Sequence, residues 1–471
     1  MMLDSLTLLT LLVAFATALA TACTRTGQSA RTTATVGGIV TVGFALLSAR
    51  FGRVAEGLGS LALFHVEGPV FGLDGLSALL FPFVAAITTA VVAMKPTRNS
   101  TPQRLAFQLL TGALSLGIVA SRRGDVLVVF WLASAIPTAL DLRGRGGARM
   151  FLGLQAASAA LLVASLALAS AGHRDPESSE ALLLLAVMTR GGMFPFHAWV
   201  PRLFDAAPIG SALVFVQAQM GSYLLARDTV VAPSESVLAV FNVFAVVALL
   251  YCAALALVQT SARRGLGYLA VSPTALVLVG FADGGQLGAT GALLVILSAG
   301  FAQTGFGLAL EAIEARRGAV RLDQDGGGHA TTPALAGSLL VLGLCTVGLP
   351  GTLAFVGEDL VFNTTLTARP LVGIAMIAAT AMNGATVLRY ALRIFGGKKR
   401  TNGEGDLILR ERLVLASLGA ALFALGIFPQ SLVAAARHAV ERLPPHVEPA
   451  DRQATRVHPE RLVLPPRAQL R

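Results

Sequence analysis

The chain has 471 residues, of which 55% are hydrophobic and 13% charged, and its mean hydropathy is +0.71. Soluble domains carry about 25% charged residues, so this composition excludes an ordinary soluble protein. The net charge of +10 does not predict nucleic-acid binding, because the basic residues lie in short predicted loops without interleaved aromatic residues. Their distribution is instead typical of the loop bias that orients membrane proteins.

Apolar segments follow one another from residue 3 to residue 436, thirteen to fifteen of them. Each approaches the roughly 20 residues that a membrane-crossing helix needs. The first begins with Asp4 and has neither a basic start nor a clear cleavage site, which favours a retained span over a signal peptide. The third, at 52–66, is weakened by Arg53, Glu56 and His65. We predict an all-α polytopic membrane protein with about 14 transmembrane helices.

Two of these segments interrupt their helices with glycine and proline. They read TRGGMFPFHAWVPRLFDAAPIGSAL at 189–213 and LGLCTVGLPGTLAFVGEDL at 342–360. Irregular backbone at membrane depth needs protein or a water-filled cavity to satisfy its polar groups, and paired breaks are typical of internally repeated transporters. Chance placement of glycine and proline is the alternative. We expect two broken helices, related by an inverted repeat, with functional residues at the breaks.

No residue pattern indicates a resident cofactor, metal or catalytic centre. Cys23, Cys252 and Cys345 are too far apart to indicate a metal site or a disulfide framework, and nothing in the sequence is suited to an iron–sulfur cluster, a flavin or a nucleotide. Residues 1–440 are interpreted as one membrane domain. Residues 441–471 are rich in proline and arginine and are predicted to be disordered.

The motifs of this chain resemble those of a known family. The PFHAWVP string at 195–201, with Arg190 before it and Ser211 after it, resembles the signature of the antiporter-like subunits of respiratory complex I and of Mrp-type cation/proton antiporters. Four further strings resemble, in the family's order, its third helix, its fifth helix, the loop after the ninth and the broken twelfth. They are FGLDGLSALL at 71–80, VLVVFWLASAIP at 126–137, VQTSARRGLGYLAVS at 258–272 and GLPGTLAFVGEDL at 348–360. The resemblance covers roughly residues 65–395.

The resemblance implies a line of charged residues at the membrane midplane that conducts protons. In the family it consists of a glutamate in the fifth helix, lysines in the seventh and eighth, and a lysine or glutamate in the twelfth. The matching positions in this chain are Leu132 for the fifth helix, Arg190 for the seventh, Gln217 or Gln219 for the eighth, and Glu358 followed by Asp359 for the twelfth. The line is therefore only partly retained.

The retained groups differ in what they can do with a proton. Arginine stays protonated in proteins, so Arg190 is expected to be a fixed charge. The three lysines, Lys95, Lys398 and Lys399, all lie in predicted loops. This leaves Glu358, Asp359 and His197 as the embedded groups that can titrate, with Asp74, Asp205 and Glu311 nearer the helix ends.

Each candidate has a structural reading beside the functional one. Arg190 either extends to the interface or pairs with an inward carboxylate such as Glu358, because an unpaired charge in the bilayer is costly. His197 is either a hydrogen-bonded structural residue or a proton carrier, and Glu358 and Asp359 either cap a helix half or line an ion pathway. Arg263 and Arg264 either mark a cytoplasmic loop or join the charged line.

Three functions fit these residues. The first is a non-redox membrane subunit of a proton- or cation-translocating complex related to NADH–quinone oxidoreductase, in the bacterial inner membrane, with redox chemistry in partner subunits. The second is a component of a cation/proton antiporter or of a two-protein inorganic-carbon uptake system. The third is a non-conducting membrane scaffold, which the missing glutamate and lysines favour. We predict the first, with other membrane and peripheral subunits and the lipid bilayer as partners.

Overall fold

The computed structural model of the protein describes residues 4–51, 70–96, 101–170, 176–228, 235–282, 285–397 and 405–441. The predicted third segment at 52–66, Lys398, Lys399 and the predicted disordered tail beyond residue 441 lie outside these ranges. Within them the chain is helical, and it contains no β-strand apart from two isolated bridges.

The helices are numbered in chain order. They are α1 (Asp4–Ala22), α2 (Gly27–Phe51), α3 (Gly75–Met94), α4 (Pro102–Ala120), α5 (Gly124–Ala133), α6 (Ala135–Asp141), α7 (Ala148–Ser170), α8 (Pro176–Gly191), α9 (Trp199–Ala206), α10 (Ile209–Gln217), α11 (Met220–Asp228), α12 (Glu235–Val258), α13 (Ala262–Ala282), α14 (Gly285–Arg317), α15 (Pro333–Cys345), α16 (Leu353–Ala368), α17 (Pro370–Phe395), α18 (Leu409–Ile427) and α19 (Gln430–Glu441).

Eleven helical runs in the described ranges are long and apolar enough to cross a membrane, and α18 with α19 makes a twelfth if this pair, bent by 78°, is one span. The all-helical membrane class is thus confirmed, with a count below the predicted 14. The run at Leu6–Ala22 and helix α15 are apolar but shorter.

The bundle has a buried spine and a lipid-facing shell. Helix α14 and the α10–α11 run are each 94% buried, and α13 is 89% buried, over their most apolar windows. Shell helices such as α12 and α17 present large apolar side chains outward, for example Val243 and Leu392. Apolar side chains that face outward suit contact with lipid. Inside the bundle, close contact between helices depends instead on small residues. At the α14–α16 contact, a Cβ on Gly291 would lie 2.9 Å from the backbone nitrogen of Val361.

The chain is interrupted in both predicted places. Helix α15 ends at Cys345 and α16 begins at Leu353, and between them Gly348 and Gly351 adopt positive φ angles of 74° and 86°. In the earlier segment α8 ends at Gly191, and a short 3-10 turn at 196–198 and α9 follow before α10 begins.

A further interruption, which was not predicted, separates α10 from α11. Gln219 there adopts a φ of 54°, a conformation that non-glycine residues rarely adopt. Its side-chain oxygen accepts hydrogen bonds from Ser222 at 3.0 Å and from Thr274 of α13 at 3.4 Å. The sequence around Gln219 has no proline and no adjacent glycine pair, so no local residue pattern predicts this break.

Candidate functional site

Arg190 is embedded in the protein near the end of α8, with 4% of its surface exposed. Its guanidinium donates to the backbone oxygen of Trp131 at 3.2 Å, to Oε1 of Gln155 at 3.1 Å and to Oγ of Ser134 at 2.7 Å. It also lies over the rings of Trp131 and Phe215, 4.9 Å and 4.2 Å from their centroids. The arginine is therefore held by uncharged groups and does not extend to the interface. None of the ion pairs among the described residues includes Arg190.

Buried amides lie beside the break between α10 and α11. Gln217 donates to Oε1 of Gln303 on α14 at 2.7 Å, and Gln303 donates to the backbone oxygen of Leu269 on α13 at 3.0 Å. Oε1 of Gln217 and Nε2 of Gln219 are buried without a hydrogen-bond partner. Gln217 and Gln219, which match the family's eighth-helix lysine region, therefore belong to a layer of neutral polar groups.

Glu358 lies at the edge of a small cavity beside the α15–α16 break. The cavity has a volume of about 20 Å³, enough for about one water molecule. Polar side chains from three other helices line it, namely Ser272, Gln303 and Asn383, together with Thr346 at the break. Asn383 donates to Oγ of Ser272 at 2.8 Å, and its own oxygen has no partner. Asp359, the next residue, points outward and is exposed.

Arg190 and Glu358 do not meet. The residues that contact Arg190 and the residues that line the Glu358 cavity have no member in common. Amides lie between them, because Phe215, which stacks on Arg190, is two residues before Gln217, and Gln303, the partner of Gln217, lines the cavity. The hypothesis of a direct arginine–carboxylate pair is replaced by a polar line with Arg190 at one end, amides in the middle and Glu358 at the other end.

The fifth-helix position has no polar group. Leu132 is 41% exposed on the outer surface of the chain, whereas its neighbour Trp131 is fully buried and donates to Oγ of Ser158 at 3.1 Å. The missing glutamate is therefore not replaced by a neighbouring carboxylate at this turn of α5.

Lys95 lies outside the helices, as predicted, but the sequence did not predict that its side chain is buried. Lys95 directly follows α3, is fully buried, and places its Nζ atom 2.7 Å from Oε1 of Glu311 on α14. Oε2 of Glu311 is buried without a partner. In the sequence, Lys95 follows one apolar run, just before Pro96, and Glu311 ends another. Each residue is therefore predicted to mark the end of a helix, and only the packing of the two helices brings them together.

The Lys95–Glu311 pair belongs to a polar cluster at one end of the bundle, which we call the lysine face. The Gln108 side-chain amide lies 3.3 Å from Nζ of Lys95 and 3.0 Å from Oγ of Ser211. Oγ of Ser211 donates to Oδ2 of Asp141 at 2.6 Å. Oδ1 of Asp141 is 3.5 Å from Nε of Arg104, which is partly exposed. Hydrogen-bonded groups thus connect the surface with the buried glutamate.

Arg263 and Arg264 lie at the same end and have different environments. Arg263 binds both carboxylate oxygens of Glu314 and also donates to the backbone oxygen of Ala207 at 3.1 Å. Arg264 is more exposed and pairs with Asp205 at 2.8 Å. Both arginines thus join α13 to neighbouring elements at the lysine face and do not touch the line from Arg190 to Glu358.

His197 lies in an aromatic cluster at the 3-10 turn. Its ring stacks on Phe194 and meets Tyr251 edge-on, with centroid distances of 5.9 Å and 5.2 Å. Its Nδ1 atom is buried and has no hydrogen-bond partner. These contacts support the packing role, and no other titratable side chain in the described ranges donates to or accepts from this ring.

The family model and the relatives found by sequence comparison agree on one family. The family model described as "NADH:quinone oxidoreductase/Mrp antiporter, TM" matches residues 149–383. NADH-quinone oxidoreductase subunit M of Mycobacterium tuberculosis is 27% identical over 295 residues, which are 60% of this chain and 53% of that protein. NAD(P)H-quinone oxidoreductase chain 4 1 of Nostoc sp. is 25% identical over 445 residues, covering 83% of this chain and 82% of the relative. The chain spans about half the length of the subunit M relative it matches.

Solved structures share the fold. A chain of respiratory complex I from Thermus thermophilus superposes with a TM-score of 0.81 at 23% identity, covering 93% of this chain and 99% of the other. A chain of the Mrp complex from Dietzia sp. superposes with a TM-score of 0.82 at 18% identity, covering 95% and 98%.

The interrupted spans and the polar line across the bundle define an antiporter-like membrane protein. The sequence comparisons agree with that class. The chain belongs to the NADH:quinone oxidoreductase/Mrp antiporter transmembrane family and is a multi-pass protein of the cell membrane.

Proposed function

We propose that this chain is a membrane subunit of a proton- or cation-translocating complex related to NADH–quinone oxidoreductase, and that redox chemistry occurs in partner subunits. The observation that carries the proposal is the Glu358 site, where a carboxylate, polar side chains from three other helices and a broken helix surround a cavity of about 20 Å³. Discontinuous helices form ion sites in secondary transporters, because their free backbone ends coordinate the ion.

Glu358 is the ion-carrying residue in this proposal. It is the one carboxylate among the described groups of the polar line, and Arg190 is a fixed charge at the opposite end. Gln217, Gln219, Gln303 and Asn383 orient water or the ion between them without changing protonation. The line then moves one ion at a time instead of passing charge between paired lysines and glutamates.

We also propose 14 spans arranged as antiporter-like inverted repeats. Three further spans are added to the eleven long runs to give this number. They are α1, the broken span formed by α15 with α16, and α18. The interruption between α8 and α10 directly follows Arg190, and the interruption between α15 and α16 lies beside Glu358. The two interruptions thus border opposite ends of the polar line, which supports their equivalence in two repeats.

A decisive experiment compares two adjacent carboxylates. Glu358→Gln should reduce proton or sodium flux by at least about tenfold, because an amide cannot take up a proton at that site. Flux is measured in inverted membrane vesicles energised with NADH, and separately with an imposed sodium gradient, which distinguishes a redox-driven subunit from an antiporter component. Asp359→Asn is the matched control, since this exposed side chain lies outside the cavity, and it should leave flux unchanged.

A non-conducting scaffold is the second candidate, favoured by the amides and the leucine at positions where the family has ionisable groups. It predicts equal flux for Glu358→Gln, Asp359→Asn and the unmodified chain. Purification of the tagged chain from native membranes identifies its partners. Co-elution of redox subunits supports the complex I-like assignment, and co-elution of a single soluble protein contradicts it in favour of a two-protein transporter.

A further inference from the structure

An apolar groove opens on the outer surface of the bundle, away from the polar line. It lies between α2, α3, α14, α18 and α19 and has a volume of about 630 Å³. Its walls are almost wholly aliphatic and aromatic. They include Leu46, Leu79, Phe83, Leu297 and Phe301.

The groove has the depth of one leaflet. Along α3 it is lined from Gly75, at the start of the helix, to Ala86, a span of about 16 Å at 1.5 Å per residue. The hydrocarbon core of a bilayer is about 30 Å thick. The groove therefore runs from the membrane face opposite the lysine face to about the middle of the bilayer.

Basic groups lie at the outer end of the groove. Arg50, at the end of α2, lines it and is exposed, and makes no ion pair among the described residues. His438 of α19 also lines it and is 3.2 Å from Glu441, which pairs with Arg437 at 3.0 Å. Arg437 and His438 thus share one carboxylate, and Arg50 has no carboxylate partner among the described residues, so its charge can meet an anion.

We propose that this groove binds an anionic phospholipid, with an acyl chain along α3 and the phosphate at Arg50. A charged end at the interface and an apolar channel of leaflet depth match the two parts of such a lipid. The proposal does not depend on whether the chain conducts ions.

The bound chain would also support the helix break. Phe83 lines the groove and contacts Phe301 edge-on at 5.1 Å. The ring also packs against Gly300, where an added Cβ would overlap the ring and lie 3.1 Å from the backbone oxygen of Gln217. One aromatic ring therefore separates the acyl chain from the break between α10 and α11.

Tryptophan quenching tests the proposal in the full chain. The native tryptophans, Trp131 and Trp199, are at most 2% exposed, so Leu79→Trp adds a reporter inside the groove. The protein is reconstituted in phosphatidylcholine vesicles that contain, at the same minor mole fraction, either brominated phosphatidylglycerol or brominated phosphatidylcholine. Attraction by one basic residue should make the anionic lipid about fivefold more effective at low fractions. Val243→Trp, an outward-facing reporter on α12, should show no preference.

Arg50→Gln in the Leu79→Trp background should abolish the preference, whereas Arg143→Gln, an exposed arginine at the lysine face, should retain it. If the reporter variant does not fold, native mass spectrometry of the unmodified chain replaces it, with retained phosphatidylglycerol expected and its loss in Arg50→Gln. Equal quenching by both lipids, or a preference that survives Arg50→Gln, overturns the proposal. Protection of the groove reporter from both lipids in the intact complex overturns it as well, because a partner subunit then fills the groove.

Discussion

Arg190 illustrates how a charge is kept inside a membrane bundle without an opposite charge. Two aromatic faces and three uncharged acceptors surround its guanidinium. This arrangement depends on the planar, forked shape of arginine, which lysine does not reproduce.

We therefore expect Arg190→Lys to destabilise the protein although it conserves the charge. Loss of the stacking and of one or two hydrogen bonds should lower the unfolding free energy by about 2 kcal/mol. Equilibrium unfolding in mixed micelles measures this, with Arg202→Lys, an exposed arginine, as the control. An unchanged unfolding free energy for Arg190→Lys contradicts the role given to the aromatic contacts.

Gly348 allows the Glu358 carboxylate to approach the helix break. A Cβ at this position would lie 2.9 Å from Oε2 of Glu358, whereas a Cβ at Gly351 would meet nothing within 4 Å, although both residues have positive φ angles. Gly348→Ala and Gly351→Ala should share a backbone cost of about 1–2 kcal/mol. Only Gly348→Ala should also displace the carboxylate and reduce ion flux in vesicles. Equal flux in the two variants would show that the position of the Glu358 carboxylate does not affect transport.

The family resemblance selected both ends of the polar line, Arg190 and Glu358, and two amides of its middle, Gln217 and Gln219. It did not select Gln303. Gln303 contributes through contacts between helices distant in sequence, and such contacts leave no pattern of their own. Direct pairing of Arg190 with Glu358 was wrong because motif order gives no distances.

At the scale of helices, the Lys95–Glu311 pair joins the end of α3 to the end of α14. Both side chains are nearly fully buried, at 1% and 7% exposure. Removing one partner from a buried pair leaves an uncompensated charge, which costs about 3–5 kcal/mol. Lys95→Met and Glu311→Gln should each lower the unfolding free energy by that order. The double variant should recover most of the loss, and a double variant that is as unstable as the sum of both would show that the pair is not coupled.

Asp406 fixes the start of α15 from a distant part of the chain. Its carboxylate accepts from the backbone nitrogens of Ala334 at 2.9 Å and Leu335 at 3.1 Å, two of the unpaired donors at that helix start. Burial alone would raise the pKa of Asp406, but the hydrogen bonds from Ala334, Leu407 and Leu335 outweigh it and hold the pKa below its usual value.

Because the folded pKa is lowered, the stabilisation by Asp406 is complete above its unfolded pKa of about 3.9 and is lost as the pH falls through the lower folded value. Asp406→Ala should cost about 1 kcal/mol near neutral pH. The difference from the unmodified chain should shrink below about pH 4. Thermal unfolding across this range measures it, with Asp359→Ala as an exposed control. A difference that does not change with pH would show that the charge of Asp406 is unimportant.

At the scale of the whole molecule, composition established the membrane class but not which helices are inside. Helix α12 has the higher mean hydropathy, 2.5 against 1.8 for α14, yet α12 is 39% buried and α14 is 94% buried over these windows. Lipid is as apolar as leucine, so hydropathy does not separate lipid-facing helices from core helices. Small and polar residues along α14 are the better guide to its central position.

The uncharged middle of the polar line determines how a membrane voltage acts on this protein. Gln217, Gln219, Gln303 and Asn383 carry no formal charge, and Arg190 keeps its charge throughout. An applied potential of 100 mV corresponds to about 2.3 kcal/mol for one elementary charge that crosses completely. In the transport role proposed for Glu358, that force acts on the carried ion and not on a relay of resident lysines, so current through the protein should rise with voltage as for a single carried charge.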